Sequence, residues 1–220
     1  MRKIIGLNGL IGSGKDTVAN HLVTAHNFVR LSFAAKLKDA VAEMFDLPRD
    51  LLEGLTDESR KWREEPLYFW STELDKEITP RLILQLFGTE CMRNGFADNV
   101  WVLMVKKQII DNPDTNFVIT DTRMFNEAMM VKELGGLNIS VQRGELPLWW
   151  NDATMFNRAI WKNGYETGME NPFANSPLYK GPWYNIHSSE WSLAGYDFDS
   201  VIDNNGTISE LYYGIDKVCS

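Results

Sequence analysis

Near the start of the chain, Gly9, Gly12, Ser13, Gly14 and Lys15 fall in one short run, Gly9-Leu-Ile-Gly-Ser-Gly14-Lys15. It fits G-x-x-x-x-G-K, a loop that cradles phosphates. Glycines let successive backbone N–H groups turn inward as an anion nest, where side chains would block the ligand. A helix that opens directly after the loop adds unpaired N–H groups and the positive end of its dipole. Lys15 supplies a point charge for the β- and γ-phosphates. These residues predict a nucleoside triphosphate site. Asp16 stands where Ser or Thr ordinarily offers magnesium a hydroxyl, and that hydroxyl comes one residue later, at Thr17. Either residue could contact the metal. A second group follows the apolar run Phe117–Thr120, where Asp121-Thr-Arg123 ends a strand pattern. Asp121 could organise metal-bound water or orient an attacking phosphate. Arg123 could grip a phosphate through two N–H groups, and Glu127, one helical turn on, could steady it. A salt bridge tying loop to helix is the structural alternative.

Both groups need a parallel sheet behind them. Lys3–Leu7 is a short apolar strand, and strand and helix patterns then alternate. Helices are predicted over Thr17–Ala25, Ala34–Phe45, Arg81–Cys91, Asn99–Ile110, Asn126–Leu134 and Ser209–Val218. Strands are predicted over Phe28–Phe33, Phe117–Thr120, Leu137–Gln142 and Asp197–Asp203. On the second helix Leu37, Ala40, Val41, Met44 and Phe45 share a core face, and on the third Leu82, Leu86 and Phe87 do. Ser209 or Thr207 caps the last helix. The fold class is therefore α/β, with a parallel central sheet and helices on both faces. Ligands of such sheets bind beyond the carboxyl ends of the strands, where both groups lie.

Other residues are candidates on weaker grounds. Residues 53–79 are polar and irregular, a solvated face from which Arg60 and Arg63 could reach a substrate phosphate. Arg81 stands at a helix start, after the Thr79 cap and Pro80, where its charge opposes the dipole. That gives it another reason to be there, such as a phosphate. Gly88 suggests close approach of backbone or ligand. Trp101 is core or a wall for a base, and Arg93 is a further phosphate candidate. Residues 145–186 read as a long aromatic-rich loop containing four of the eight tryptophans. His187 and Glu190 follow it; the histidine reads as structural, and metal binding by this pair alone is not expected.

The chain has 220 residues, room for one embellished α/β domain. Its formal net charge of -8 argues against a nucleic-acid partner. Cys91 and Cys219 match no metal spacing and suggest free thiols in a reducing cytosol. No signal peptide or membrane-spanning run is expected.

Several stretches in one order carry a family resemblance: Gly-Ser-Gly-Lys-Asp-Thr17, Pro80-Arg-Leu-Ile-Leu-Gln-Leu-Phe-Gly-Thr-Glu90, Trp101, Thr120-Asp-Thr-Arg123 and Val201-Ile-Asp-Asn-Asn-Gly206. Over 1–144 and 187–220 the chain resembles the bacteriophage deoxynucleoside monophosphate kinases of the T-even type. The resemblance implies the three-layer P-loop nucleoside monophosphate kinase fold as one domain over 1–220. Within it, 46–100 would be an acceptor-binding helical insertion and 145–186 a lid-like insertion. It implies ATP and magnesium, a deoxynucleoside 5′-monophosphate as acceptor, and a cytoplasmic setting, the host's if phage-encoded. Arg81, Gly88 and Trp101 would line the acceptor pocket, with Asp121, Arg123 and Glu127 at its phosphate end. Arg143 and Arg158 of the lid region would reach the transferring phosphates, and Trp161, Tyr165 and Trp183 would stack on a base. Equally, those aromatics could form a homodimer contact or a satellite core. The competing readings are a kinase of another acceptor, such as a hydroxymethylated base in DNA or dephospho-coenzyme A, and a nucleotide-binding protein without kinase activity.

Overall fold

The computed structural model describes residues 2–162, 186 and 188–219. The chain divides into two compact units, Met1–Ser32 with Gln108–Ser220, and Phe33–Lys107.

The first unit is a sheet of five strands: β1 (Ile4–Asn8), β2 (Phe28–Leu31), β3 (Asn116–Ile119), β4 (Leu137–Gln142) and β5 (Ser200–Asp203). Their order is β2-β3-β1-β4-β5 and every pairing is parallel. The apolar run of β1 takes the sheet's centre, where both faces are covered. Strand alternation assigns the faces. Ile5, Leu7, Val118, Ile139 and Val141 pack with Val18, Ala19 and Leu22 of α1 (Lys15–His26) and Leu211 and Ile215 of α10 (Ile208–Cys219). On the other face Gly6 lies against Val131 of α7 (Phe125–Glu133), and Asn138 Nδ2 donates to the Ala128 carbonyl of that helix at 2.8 Å. The predicted parallel sheet with helices on both faces is thus present. Thr207, not Ser209, caps α10, exchanging hydrogen bonds with Glu210.

The sequence predicts a loop over 145–186, but its described part contains α8 (Trp150–Lys162). Ala153, Phe156 and Ile160 bury one face of that helix with Trp191 of α9 (Ser188–Trp191) and Ala194. Trp149, Trp150 and Trp161 pack on the same cluster. The described aromatics therefore form a satellite core. The tryptophans hid an ordinary amphipathic helix, because aromatic composition resembles a binding loop when read without its spacing. Tyr165, Trp183 and His187 lie outside the described residues.

The second unit is helical: α2 (Ala35–Phe45), a 3-10 turn (Leu51–Glu53), α3 (Asp57–Trp62), α4 (Tyr68–Glu73), α5 (Pro80–Gln85), a π-helical stretch (Leu86–Asn94) and most of α6 (Val100–Asp111). Val41, Leu52, Ile78 and Ile83 form its core, with Leu37, Phe45, Trp62, Leu67 and Trp70 packed around them. The polar 53–79 region is therefore less irregular than predicted. Thr56 and Ser59 build a capping box for α3, and Trp62 and Trp70 bind the short helices to the core. Thr79 caps α5 through the Leu82 N–H at 3.1 Å, with Pro80 at the first position, as expected.

Two packing expectations fail. Met44 is 60% exposed, and Leu86 points outward where the α-helix widens into the π-helical stretch. The one-residue shift of a π turn rotates the apolar face away from the α spacing assumed from sequence.

Candidate active site

The loop after β1 has the backbone an anion nest requires. Gly9 and Gly14 hold φ of +151° and +102°. A Cβ on Gly9 would stand 2.3 Å from the Val141 carbonyl oxygen, and one on Gly14 would stand 2.3 Å from Asn204 Nδ2. Both positions are closed to side chains by conformation and by contact. α1 opens straight from Gly14 with no side-chain cap, so its first-turn N–H groups are left for a ligand. The Ser13 hydroxyl is buried without a hydrogen-bond partner. Lys15 Nζ donates to the Gly9 and Leu10 carbonyls at 2.6 and 3.0 Å, folding back over the loop. Its pKa is lowered, first by burial and next by the positive charge of Arg123, against the opposite pull of Asp16 and Glu190. Gly9, Gly12, Ser13, Gly14 and Lys15 are therefore one structural device, and a buried unpartnered hydroxyl beside a cation fits a polyphosphate.

β3 is the neighbour of β1, so Asp121, Thr122 and Arg123 emerge on the same rim. Asn8 Nδ2 donates to the Thr122 carbonyl at 2.9 Å, joining the two strand ends. Ser32 Oγ donates to Asp121 Oδ2 at 2.7 Å. Arg123 Nη1 pairs with Glu190 Oε1 at 2.6 Å. Glu127 reaches Arg123 through the main chain. Its buried carboxylate accepts the backbone N–H groups of Arg123 and Met124 at 2.8 and 3.0 Å. It therefore fixes the start of α7 and the position of the Arg123 main chain.

Arg143 follows β4, the other neighbour of β1, and is exposed on that rim. Arg158 is turned to the Gly195 carbonyl at 3.4 Å. Asp16, 65% exposed, is ion-paired with Arg30 of β2. The half-buried Thr17 stands in the first turn of α1. Sequence reasoning gave Glu190 no role at Arg123 and passed over Ser32 and the bracing role of Asn204. The last donates through Nδ2 to the Ser13 carbonyl at 2.8 Å and through its backbone to Gln142 at 2.8 Å. Each is far from its partner in sequence, and no local spacing announces such a contact.

The acceptor-side candidates Arg60, Arg63, Arg81, Gly88 and Trp101 belong to the second unit. There Arg60 pairs with Asp57 at 2.5 Å, and Arg81 is ion-paired with Glu64. Arg63 lies against Gly54, with its Nε buried and without a hydrogen-bond partner. Its pKa is lowered, first by burial, then by the neighbouring charge of Arg81, with a smaller push from Arg60, against the opposite pull of Glu64 and Glu53. Gly88 and Trp101 have packing roles. A Cβ on Gly88 would meet Leu37 Cδ2 at 2.8 Å. Trp101 is buried at 5% exposure and donates its indole N–H to the Gly88 carbonyl at 3.1 Å.

No protein-family model matches the chain. A protein of Acanthamoeba polyphaga mimivirus, provisionally named a deoxynucleotide monophosphate kinase, is 34% identical over 151 residues, covering 64% of this chain and 74% of that protein. The deoxynucleoside-5′-monophosphate kinase of Escherichia phage T5 is 26% identical over 189 residues, covering 63% of this chain and 75% of that protein. Among solved structures, TT1252 from Thermus thermophilus aligns over 99% of this chain and 96% of its own, at 16% identity and a TM-score of 0.43, too low to bear on fold or function. On the similarity to the mimivirus protein, the chain belongs to the deoxynucleoside monophosphate kinase family.

Proposed function

We propose that the protein transfers the γ-phosphoryl group of ATP to a deoxynucleoside 5′-monophosphate, giving ADP and the deoxynucleoside diphosphate. The observation that carries the reading is the rim of the sheet, where the phosphate loop, Lys15 and Arg123 gather donors and positive charge. An oxygen of the acceptor phosphate bonds to the γ-phosphorus as the bridge to ADP breaks. That oxygen is already anionic, so no general base is needed, and the protein's work is positioning and charge neutralisation. The first-turn N–H groups of α1 and Lys15 hold the triphosphate, while Arg123 leaves Glu190 to meet the transferring group. Arg143 is a further ligand for the ATP phosphates.

Magnesium would neutralise phosphate charge at this rim, with Thr17 and Asp121 as its ligands. Asp16 is a poorer choice, because its carboxylate is engaged with Arg30. In the second unit we assign the acceptor's phosphate to Arg60, Arg63 and Arg81, on the unsatisfied Nε of Arg63. The described part of 145–186 contains a helix packed on a satellite core. No helix among the described residues is long and apolar enough to cross a membrane.

The test is an ADP-release assay with ATP and magnesium against each common and modified deoxynucleoside monophosphate. Turnover stoichiometric with one or more acceptors is expected. ATP binding with no acceptor-dependent turnover would overturn the assignment, and the assay would then move to DNA and dephospho-coenzyme A.

A further inference from the structure

His21 and His26 of α1 and Asp216 of α10 bring one ligand atom each into a space where all three lie within 4.8 Å of one another. Both imidazole Nε2 atoms stand 2.7 Å from the same oxygen, Asp216 Oδ1. From this convergence we propose that the three side chains bind a borderline divalent transition metal, of the Zn2+, Co2+ or Ni2+ class, on the face of the sheet unit where α1 meets α10.

The donor set sets the class of ion. Two imidazoles and one carboxylate are ordinary ligands for zinc and its neighbours, and a poor set for magnesium or calcium, which take oxygen. A tetrahedral ion with ligands at about 2.0 Å spaces its donors about 3.3 Å apart. Each Nε2–Oδ1 separation therefore has to open by only about half an ångström, a change within side-chain torsion. The rings are already held. His21 stacks on Tyr212 with centroids 4.0 Å apart and planes 8° from parallel, and His26 meets His21 edge to face at 5.5 Å. The side chains are 15%, 31% and 45% exposed in the order His21, His26, Asp216, so water can complete the coordination.

Helical spacing alone would not bring the two histidines together. Five residues apart, they point about 140° from each other on an α-helix. They converge because His26 is the last residue of α1, before Asn27 turns left-handed, and its ring is released from the helical ladder. Asp216 arrives from the far end of the sequence, on a helix packed against the same sheet face.

The test uses the full chain, freed of metal by a chelator that is then removed, without nucleotide or magnesium. Cobalt is the spectroscopic probe, and zinc is titrated by calorimetry. One equivalent of cobalt should give the visible absorption of a tetrahedral or five-coordinate site. Zinc should bind with unit stoichiometry and raise the melting temperature. H26Q and D216N should weaken zinc at least tenfold and abolish the melting shift. H187Q and K15A should leave binding unchanged, separating this site from the third histidine and from the phosphate loop. Absence of stoichiometric binding in the wild type, or unchanged affinity in H26Q, would overturn the proposal. Because His26 is at a helix end with an accessible ring, H26Q is the decisive variant should D216N fail to fold, with far-UV circular dichroism as the check.

Discussion

We assign phosphates to both the phosphate loop and the arginine group of the helical unit, yet the two are made in opposite ways. The loop is mostly backbone. Positive φ at Gly9 and Gly14, a helix opened without a cap, and a half-buried Asn204 brace fix its N–H groups before any ligand arrives. In the helical unit the donors are long side chains with local carboxylate partners, Asp57 for Arg60 and Glu64 for Arg81. Only Arg63 is held tightly enough for its Nε to be buried and unsatisfied. The first device is preorganised, whereas the second must exchange partners, and this ranks the effects of substitution.

The largest effect belongs to Lys15. K15A removes the cation over the loop while leaving its glycine backbone intact, and should lower kcat by about 10²–10³-fold, the scale for loss of one preorganised donor. Melting should stay near wild type, since Lys15 bonds only to carbonyls of the loop itself. Acceptor-dependent ADP release is the measurement, and activity near wild type would break the assignment of ATP to this loop. R123A comes next, with a loss of about 10²-fold in kcat and intact folding. E190Q should change activity only a few-fold, because it removes the resting partner of Arg123 and not the guanidinium itself.

The comparison also explains what the sequence made legible. A backbone-built site needs particular residue types at fixed local spacing, so Gly9 to Lys15 could be read directly. The strands that carry it could be read too, because β1 is a nearly continuous apolar run and β4 alternates apolar with polar residues. Contacts between distant residues gave no such signal. Glu190 reaches Arg123 across 67 residues, and Asn204 reaches Ser13 across 191. Glu127 was read from its i,i+4 spacing as a residue that steadies Arg123. What spacing did not show is that its carboxylate accepts the backbone N–H groups of Arg123 and Met124 at the start of α7. Helix pattern was misread where the ladder changed period at Leu86 and where aromatics masked α8.

Smaller effects sharpen the contrast between the two proposed anion sites. R63A should raise KM for the monophosphate about 10-fold, the worth of one charged hydrogen bond, with little change in KM for ATP. Initial rates with each substrate varied in turn would show it. An equal rise for both substrates would mean that the arginine group is not an acceptor site of its own. N204A leaves the Ser13 carbonyl without its side-chain donor and should raise KM for ATP a few-fold, corresponding to about 1 kcal/mol.

The smallest effect separates packing from ligand contact at Gly88. The backbone there has an ordinary conformation, and the atom a new Cβ would meet is the far end of the Leu37 side chain at 2.8 Å. A flexible leucine can yield, so G88A should cost about 1 kcal/mol of overpacking. In a chain of this size that lowers the melting temperature by about 2–4 °C. KM for the monophosphate should not change, because Trp101 and Leu37 occupy the surroundings of Gly88. G14A makes the informative contrast, since φ of +102° and the Asn204 amide at 2.3 Å leave a Cβ no room, and its loss should appear in ATP binding. If G88A instead raised KM for the monophosphate with melting unchanged, Gly88 would be in contact with the acceptor. The helical unit would then resemble the phosphate loop in bringing backbone, and not only arginine side chains, to its ligand.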